Sequence, residues 1–214
     1  MTASSREDTL TPHRGPGHYF ERPNRHTGKE TITKLYMHPI SMTSGPVRLF
    51  IGESGIDVEE QAVNLFAGAH HQSLCVLINP NRLVPVLESE DFQLTESSAI
   101  LKYLADKIDS PTYPKDLQAR VKINEIMDWL ATNFYRDYAY GCIYQQIFPH
   151  TGGRATRSRS ETAAWGKERA QGWLQNHNDH WLGDGRAYLC GEAISIADYF
   201  GIAPLDGLSE LVED

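Results

Sequence analysis

The feature that most restricts how this chain folds is a change of hydrophobic period near residue 110. Before it, short strand-like runs alternate with helical ones. After it, every periodic segment is helical. Strand signals fall at residues 32–37, 56–65, 84–87 and 92–94, with a polar turn at 89–91. Between them stand a helix opening at Pro46 with Val47, Phe50 and Ile51 on one face and Gly55 as its stop, and a short irregular helix at 67–78. A third helix runs over 95–107 with Ile100, Leu101 and Leu104 inward. The order strand, helix, strand, helix, strand, strand, helix predicts an α/β unit, a mixed four-stranded sheet with helices on both sides. Residues 109–114 read as a linker. Pro114 then starts a long helix carrying Val121, Ile126, Met127, Leu130 and Phe134, and residues 161–182 form another with Trp165, Trp173 and Trp181. Residues 152–160 between them are basic and Gly/Ser-rich, a mobile loop. Ser195 and Asp198 form a capping box, with Ile194 and Tyr199 placed as a hydrophobic staple.

Composition narrows the function classes. The 214 residues are 40% hydrophobic and 22% charged, ordinary for a soluble globular protein. A net charge of −8 removes the electrostatic basis for nucleic-acid binding. No apolar run spans a bilayer, and residues 1–29 lack the apolar stretch of a signal peptide. Residues 1–30 are polar and aperiodic, which predicts a disordered extension. Cys75, Cys142 and Cys190 are scattered without a CxxC pair, which points to a reducing, cytoplasmic setting. His70 and His71 have no evident third ligand, so no metal is expected. His177 and His180 read as a solvated helix face.

Three segments at these separations carry a resemblance. They are Asn79-Pro80-Asn81-Arg82-Leu83-Val84-Pro85-Val86-Leu87, then Leu94-Thr95-Glu96-Ser97-Ser98-Ala99-Ile100-Leu101, then the Ser195–Asp198 cap. Together they resemble the glutathione transferase superfamily. Tyr113-Pro114-Lys115-Asp116-Leu117-Gln118-Ala119-Arg120 is similar to the theta class and its bacterial relatives, which include glutathione-dependent dehalogenases. The resemblance implies a thioredoxin-like domain over residues 31–108 and an all-helical domain over 114–214. It implies glutathione as co-substrate, a small hydrophobic electrophile as second substrate, a detoxifying role and a homodimer.

The same resemblance assigns residues. A cis bond at Val84–Pro85 leaves the Val84 N–H and C=O free to pair with the cysteinyl backbone of glutathione. Glu96 and Ser97, at the start of a helix, hold the γ-glutamyl ammonium and carboxylate; Ser97 also serves as a cap. His70 meets the glycine carboxylate, where the family's basic loop residue falls on Arg82 or Leu83. A thiol of this kind has a pKa of about 8.5, so a hydroxyl must stabilise its thiolate. Ser41 is the first candidate, with Ser44 or Thr43 and Tyr36 as alternatives. Arg136 either faces the sulfur or lies exposed on its helix. Phe134, Tyr135, Tyr138, Tyr140 and Tyr144 either line the electrophile pocket or join the core.

Only sixteen residues follow Asp198, Ala203-Pro204 interrupts the helix there, and the helical half looks shortened. The competing reading is therefore a non-catalytic glutathione-binding or scaffold module on the same fold.

Overall fold

β1 (Lys34–Met37) buries Leu35 and Met37 on one face and ends at His38-Pro39. Its shortness limits its neighbour. The parallel partner β2 (Glu59–Ala62) pairs from Lys34↔Glu59 to Met37↔Ala62, four residues where ten were expected. All four β2 residues are exposed, and the edge is charged by Lys34–Glu59 and Arg48–Glu60 ion pairs of 3.5 and 2.7 Å. The structure, a computed structural model, describes residues 33–89, 92–147 and 158–206. The expected extension at 1–30, positions 152–157 of the expected loop and the final residues 207–214 lie outside them.

The sheet order is β2-β1-β3-β4, with β3 (Val86–Ser89) antiparallel to β1 and β4 (Phe92–Thr95) antiparallel to β3. This is the mixed sheet the pattern predicts. Helix α1 (Gly45–Ser54) carries Pro46 in its first turn and closes on Gly55, whose φ of 63° suits glycine. A 3₁₀ turn (Ala69–His71) and α2 (Ser73–Ile78) make up the irregular segment. Helix α3 spans Ser97–Lys107.

Helix α4 (Leu117–Trp129) starts three residues beyond Pro114, because the Asp116 carboxylate accepts the Ala119 N–H at 2.9 Å and sets the cap there. It continues as a π-helical segment (Leu130–Ile143) and α5 (Tyr144–Ile147). Val121, expected inward, is 50% exposed; Ile123 takes the inward position. Helix α6 (Arg159–Asn176) is capped by Ser158, inside the segment expected as loop. Ser158 and Glu161 form a full capping box, the carboxylate accepting the Ser158 N–H at 2.7 Å. A π turn (His177–Trp181) follows, and His177 packs against Trp129 and Trp181 rather than standing in solvent. Helix α7 (Ile196–Asp206) runs through Pro204, since a proline near a helix end forgoes a single N–H bond. The Asp198 carboxylate accepts the Ser195 N–H at 2.7 Å and the Leu189 N–H at 2.8 Å, so the box also pins the preceding loop. Ile194 stays exposed, and Tyr199 packs edge-on against Phe50.

One core joins the halves: Leu35, Phe50, Leu87 and Leu101 from the sheet side meet Met127, Leu130, Phe134 and Ile196. A smaller cluster sets Met42, from the loop after β1, among Ala139, Cys142 and Ile143 of the π segment. Met42 is 2% exposed. Burying such a side chain contributes about 2 kcal/mol and holds its neighbours Ser41 and Thr43 against the helical half.

Candidate active site

A cavity of about 840 Å³ opens beside that anchored loop, within the range of small-molecule sites. Ser41, Thr43, His70, Arg82, Val84, Pro85, Glu96 and Ser97 line it from the sheet half, and Tyr135, Tyr140, Tyr144 and Ile147 from the helical half. His38 and Phe66 stand at its rim with rings edge to face, 5.6 Å apart.

The hydroxyls separate clearly. Thr43 donates its one proton to the Val84 carbonyl at 2.8 Å. Its oxygen lies 3.0 Å from Ser41 Oγ, which in turn accepts the Ser44 N–H at 3.2 Å. With the Thr43 proton committed, the Ser41–Thr43 hydrogen bond takes the Ser41 proton, so Ser41 gives a proton to a third atom by turning its O–H away from Thr43, a move Thr43 can match only by releasing Val84. Ser44 is fully buried, its Oγ has no hydrogen-bond partner among the described residues, and it does not reach the cavity. Tyr36 sits within β1, paired on both sides, and also misses the cavity. Burial, then the Glu88 charge, pushes its hydroxyl further from ionisation.

The Val84–Pro85 bond is cis. The Val84 C=O is not free, as it takes the Thr43 hydroxyl, while the Val84 N–H makes no hydrogen bond among the described residues. Ser97 is the first residue of α3, not its cap. Glu96 holds the N-cap position with φ 66° and no side-chain capping bond. A non-glycine residue in that region costs about 1–3 kcal/mol, and the strained turn brings the helix N–H groups to the cavity wall.

Burial first, then the charges of His71 and Arg82, lowers the His70 pKa, which keeps the imidazole neutral. Its Nδ1 is buried without a partner among the described residues. No group of three or more His, Cys, Asp or Glu side chains converges among the described residues.

Arg136 is turned away. Its guanidinium holds Asp137, Nε to Oδ1 2.8 Å, and does not line the cavity. The Asp137 side chain, 1% exposed, also accepts the Trp173 indole N–H at 2.8 Å and Arg169 at 3.3 Å. Arg136, then Trp173 and Arg169, hold this carboxyl below the usual aspartate range against the opposing effect of burial. A lowered folded pKa stabilises the fold at pH above the unfolded value of about 3.9, and that contribution is lost as pH falls through the folded value. Asp137→Asn should therefore cost about 2 kcal/mol at neutral pH and flatten the fall of stability below pH ~4, read by urea denaturation across pH. An unchanged acid limb would remove Asp137 from that role. The sequence signal for this residue was a charge in helical phase with Leu130 and Phe134.

Of the five aromatics, Phe134 is core and Tyr138 stacks on it, while Tyr135, Tyr140 and Tyr144 line the cavity.

Residues 32–106 match the family model for the glutathione S-transferase N-terminal domain. Human glutathione S-transferase theta-2 is 33% identical over 174 residues, 80% of this chain and 70% of that protein. The apo structure of human glutathione S-transferase T1-1 superposes with TM-score 0.71 at 33% identity, over 82% of this chain and 73% of that one. A human theta-class enzyme in complex with the glutathione conjugate of 1-menaphthyl sulfate gives 0.76 at 31% identity, over 86% and 75%. The chain belongs to the glutathione transferase superfamily, on its theta-like branch.

Proposed function

We propose that this chain conjugates glutathione to small hydrophobic electrophiles, with Ser41 keeping the sulfur as a thiolate. The observation that carries the reading is the convergence, in one cavity, of a Val84 N–H without a hydrogen bond among the described residues, the open start of α3 at Glu96 and Ser97, and the Ser41 hydroxyl. Extended glutathione lies along the wall before β3, its cysteinyl carbonyl taking the Val84 N–H. The Ser97 hydroxyl and the α3 N–H groups hold the γ-glutamyl carboxylate, and Glu96 the ammonium. His70 and Arg82 meet the glycine carboxylate. The thiol proton leaves to water. The Ser41 O–H donates to the sulfur, assisted by the nearby N-terminus of α1. The sulfur attacks the electrophile, forming a sulfur–carbon bond as the leaving group departs with its electron pair. A halide is one such leaving group. The tyrosine wall supplies the apolar face.

The wider setting follows the family: a homodimer with a detoxifying role in the cytoplasm. No helix among the described residues is long and apolar enough to cross a membrane.

Calorimetric titration of the full chain with glutathione tests the cradle. Ser97→Ala removes one hydrogen bond to a charged group, about 1.5 kcal/mol, and should weaken binding roughly tenfold. Absence of glutathione uptake by the wild-type protein would overturn the reading.

A further inference from the structure

Asn79 closes the loop between α2 and β3. Its side chain, 4% exposed, is bonded at both ends: Oδ1 accepts the Asn81 N–H at 3.0 Å and Nδ2 donates to the Leu83 C=O at 2.9 Å. Its backbone accepts the Arg82 N–H at 2.9 Å and donates to the Cys75 C=O, in α2, at 2.8 Å. Pro80, Asn81, Arg82 and Leu83 are all exposed, and Arg82 takes a φ of 60°. Burial therefore does not shape this loop; the Asn79 bonds do. We infer that Asn79 is a positioning residue for the thiol substrate: it fixes the Leu83–Val84 peptide and so keeps the Val84 N–H aimed as a donor at the cysteinyl carbonyl. The inference rests on the glutathione reading above.

The link is one peptide plane. The Leu83–Val84 bond is trans, so its C=O and N–H point in opposite directions. With the Leu83 C=O tied to Asn79, the Val84 N–H faces the other way, at the cavity wall. The Asn79 bond is the one hydrogen bond this plane makes among the described residues. Without it the plane can turn about the bonds on either side, which swings the N–H out of line and brings the Leu83 oxygen toward an incoming carbonyl. The Thr43 hydroxyl does not prevent that turn, because it holds the Val84 C=O, in the next plane. Asn79 thus meets the cost of ordering the donor before the ligand arrives.

Calorimetry on the full chain with three thiols tests this. γ-Glutamylcysteine lacks the glycine but keeps the cysteinyl carbonyl; γ-glutamylcysteamine lacks both. Asn79→Asp keeps an acceptor for the Asn81 N–H and has no proton for the Leu83 C=O. It should weaken glutathione and γ-glutamylcysteine alike, by about five- to tenfold, and leave γ-glutamylcysteamine nearly unchanged. Asn79→Ser, which adds no charge, should do the same. With benzyl chloride as electrophile the loss should fall on KM for glutathione and spare kcat, the mark of a contact made equally before and during reaction. Equal losses for all three thiols, or none, overturn the inference. So does a loss confined to glutathione, which would place the effect at the glycine end and Arg82. Failure of both variants to fold would make Asn79 a residue of the fold instead, and overturns it too. In each case wild-type glutathione binding leaves the glutathione reading intact; no uptake by the wild type sinks that reading itself.

Discussion

Ser41→Ala should lower turnover about 8- to 25-fold at neutral pH while changing glutathione affinity little. The size follows from the thiol's own ionisation. A hydroxyl that donates to sulfur stabilises the thiolate and not the thiol, and a preference worth about 1.4 to 2.7 kcal/mol lowers the pKa by one to two. Without it the bound thiol returns toward its ordinary value of about 8.5, and the thiolate fraction at pH 7 falls in proportion. Affinity is spared because, in the proposed cradle, the Val84 N–H, Ser97 and the α3 end would hold atoms remote from the sulfur. The pH profile of kcat/KM separates this from mere damage to the site. Its alkaline plateau should be reached one to two pH units later in the variant, and the two proteins should converge above pH ~9. Thr43→Val is the informative companion. It removes the bond to the Val84 carbonyl, 2.8 Å in the native chain, and should act on glutathione binding more than on the ionisation. A neutral-pH rate for Ser41→Ala equal to wild type would exclude the serine from thiolate stabilisation.

The parts of this site that can be read from the sequence are those built from local chemistry. Val84-Pro85 and the Glu96-Ser97 strand-to-helix corner are each set within a few residues, as is the Ser195/Asp198 box of the fold outside the site. The choice among Ser41, Thr43, Ser44 and Tyr36 was not legible, because it turns on Met42 being buried against Ala139 and Ile143, about a hundred residues away. The helical wall was hidden for another reason. At about 100° per residue, positions nine apart such as Tyr135 and Tyr144 point to opposite sides of an α-helix. The segment Leu130–Ile143 is hydrogen-bonded with a five-residue repeat, which widens the turn to roughly 4.4 residues and brings the two phenols together. Arg136, in the same segment, pairs with its neighbour Asp137 and does not line the cavity. Ile56 to Leu65 misled in a simpler way: apolar residues at both ends of the segment suggest one long strand, but only as much of it pairs as β1 offers.

Two glycines of α6, six residues apart, should respond to alanine with opposite signs. A Cβ at Gly166 would stand 2.3 Å from the Gly141 carbonyl carbon and 2.6 Å from the Cys142 nitrogen, both backbone atoms of the π segment. No side chain can rotate to relieve that contact, so the helices must separate. Overpacking of this kind costs up to about 3 kcal/mol or more, well above the ~1 kcal/mol that alanine returns in helix propensity. A Cβ at Gly172 meets nothing within 4 Å, so the propensity term acts alone. Gly166→Ala should therefore lose at least ~2 kcal/mol in urea denaturation, and Gly172→Ala should gain about 0.5 to 1. The effect on function should be lopsided as well. Gly166 backs the segment that carries Tyr135 and Tyr140, whereas the Val84, Glu96 and Ser97 contacts belong to the sheet half. Gly166→Ala should raise KM for the electrophile several-fold under conditions where it is still folded, with the glutathione dissociation constant nearly unchanged. Equal losses in both constants would mean that the two walls of the cavity move together.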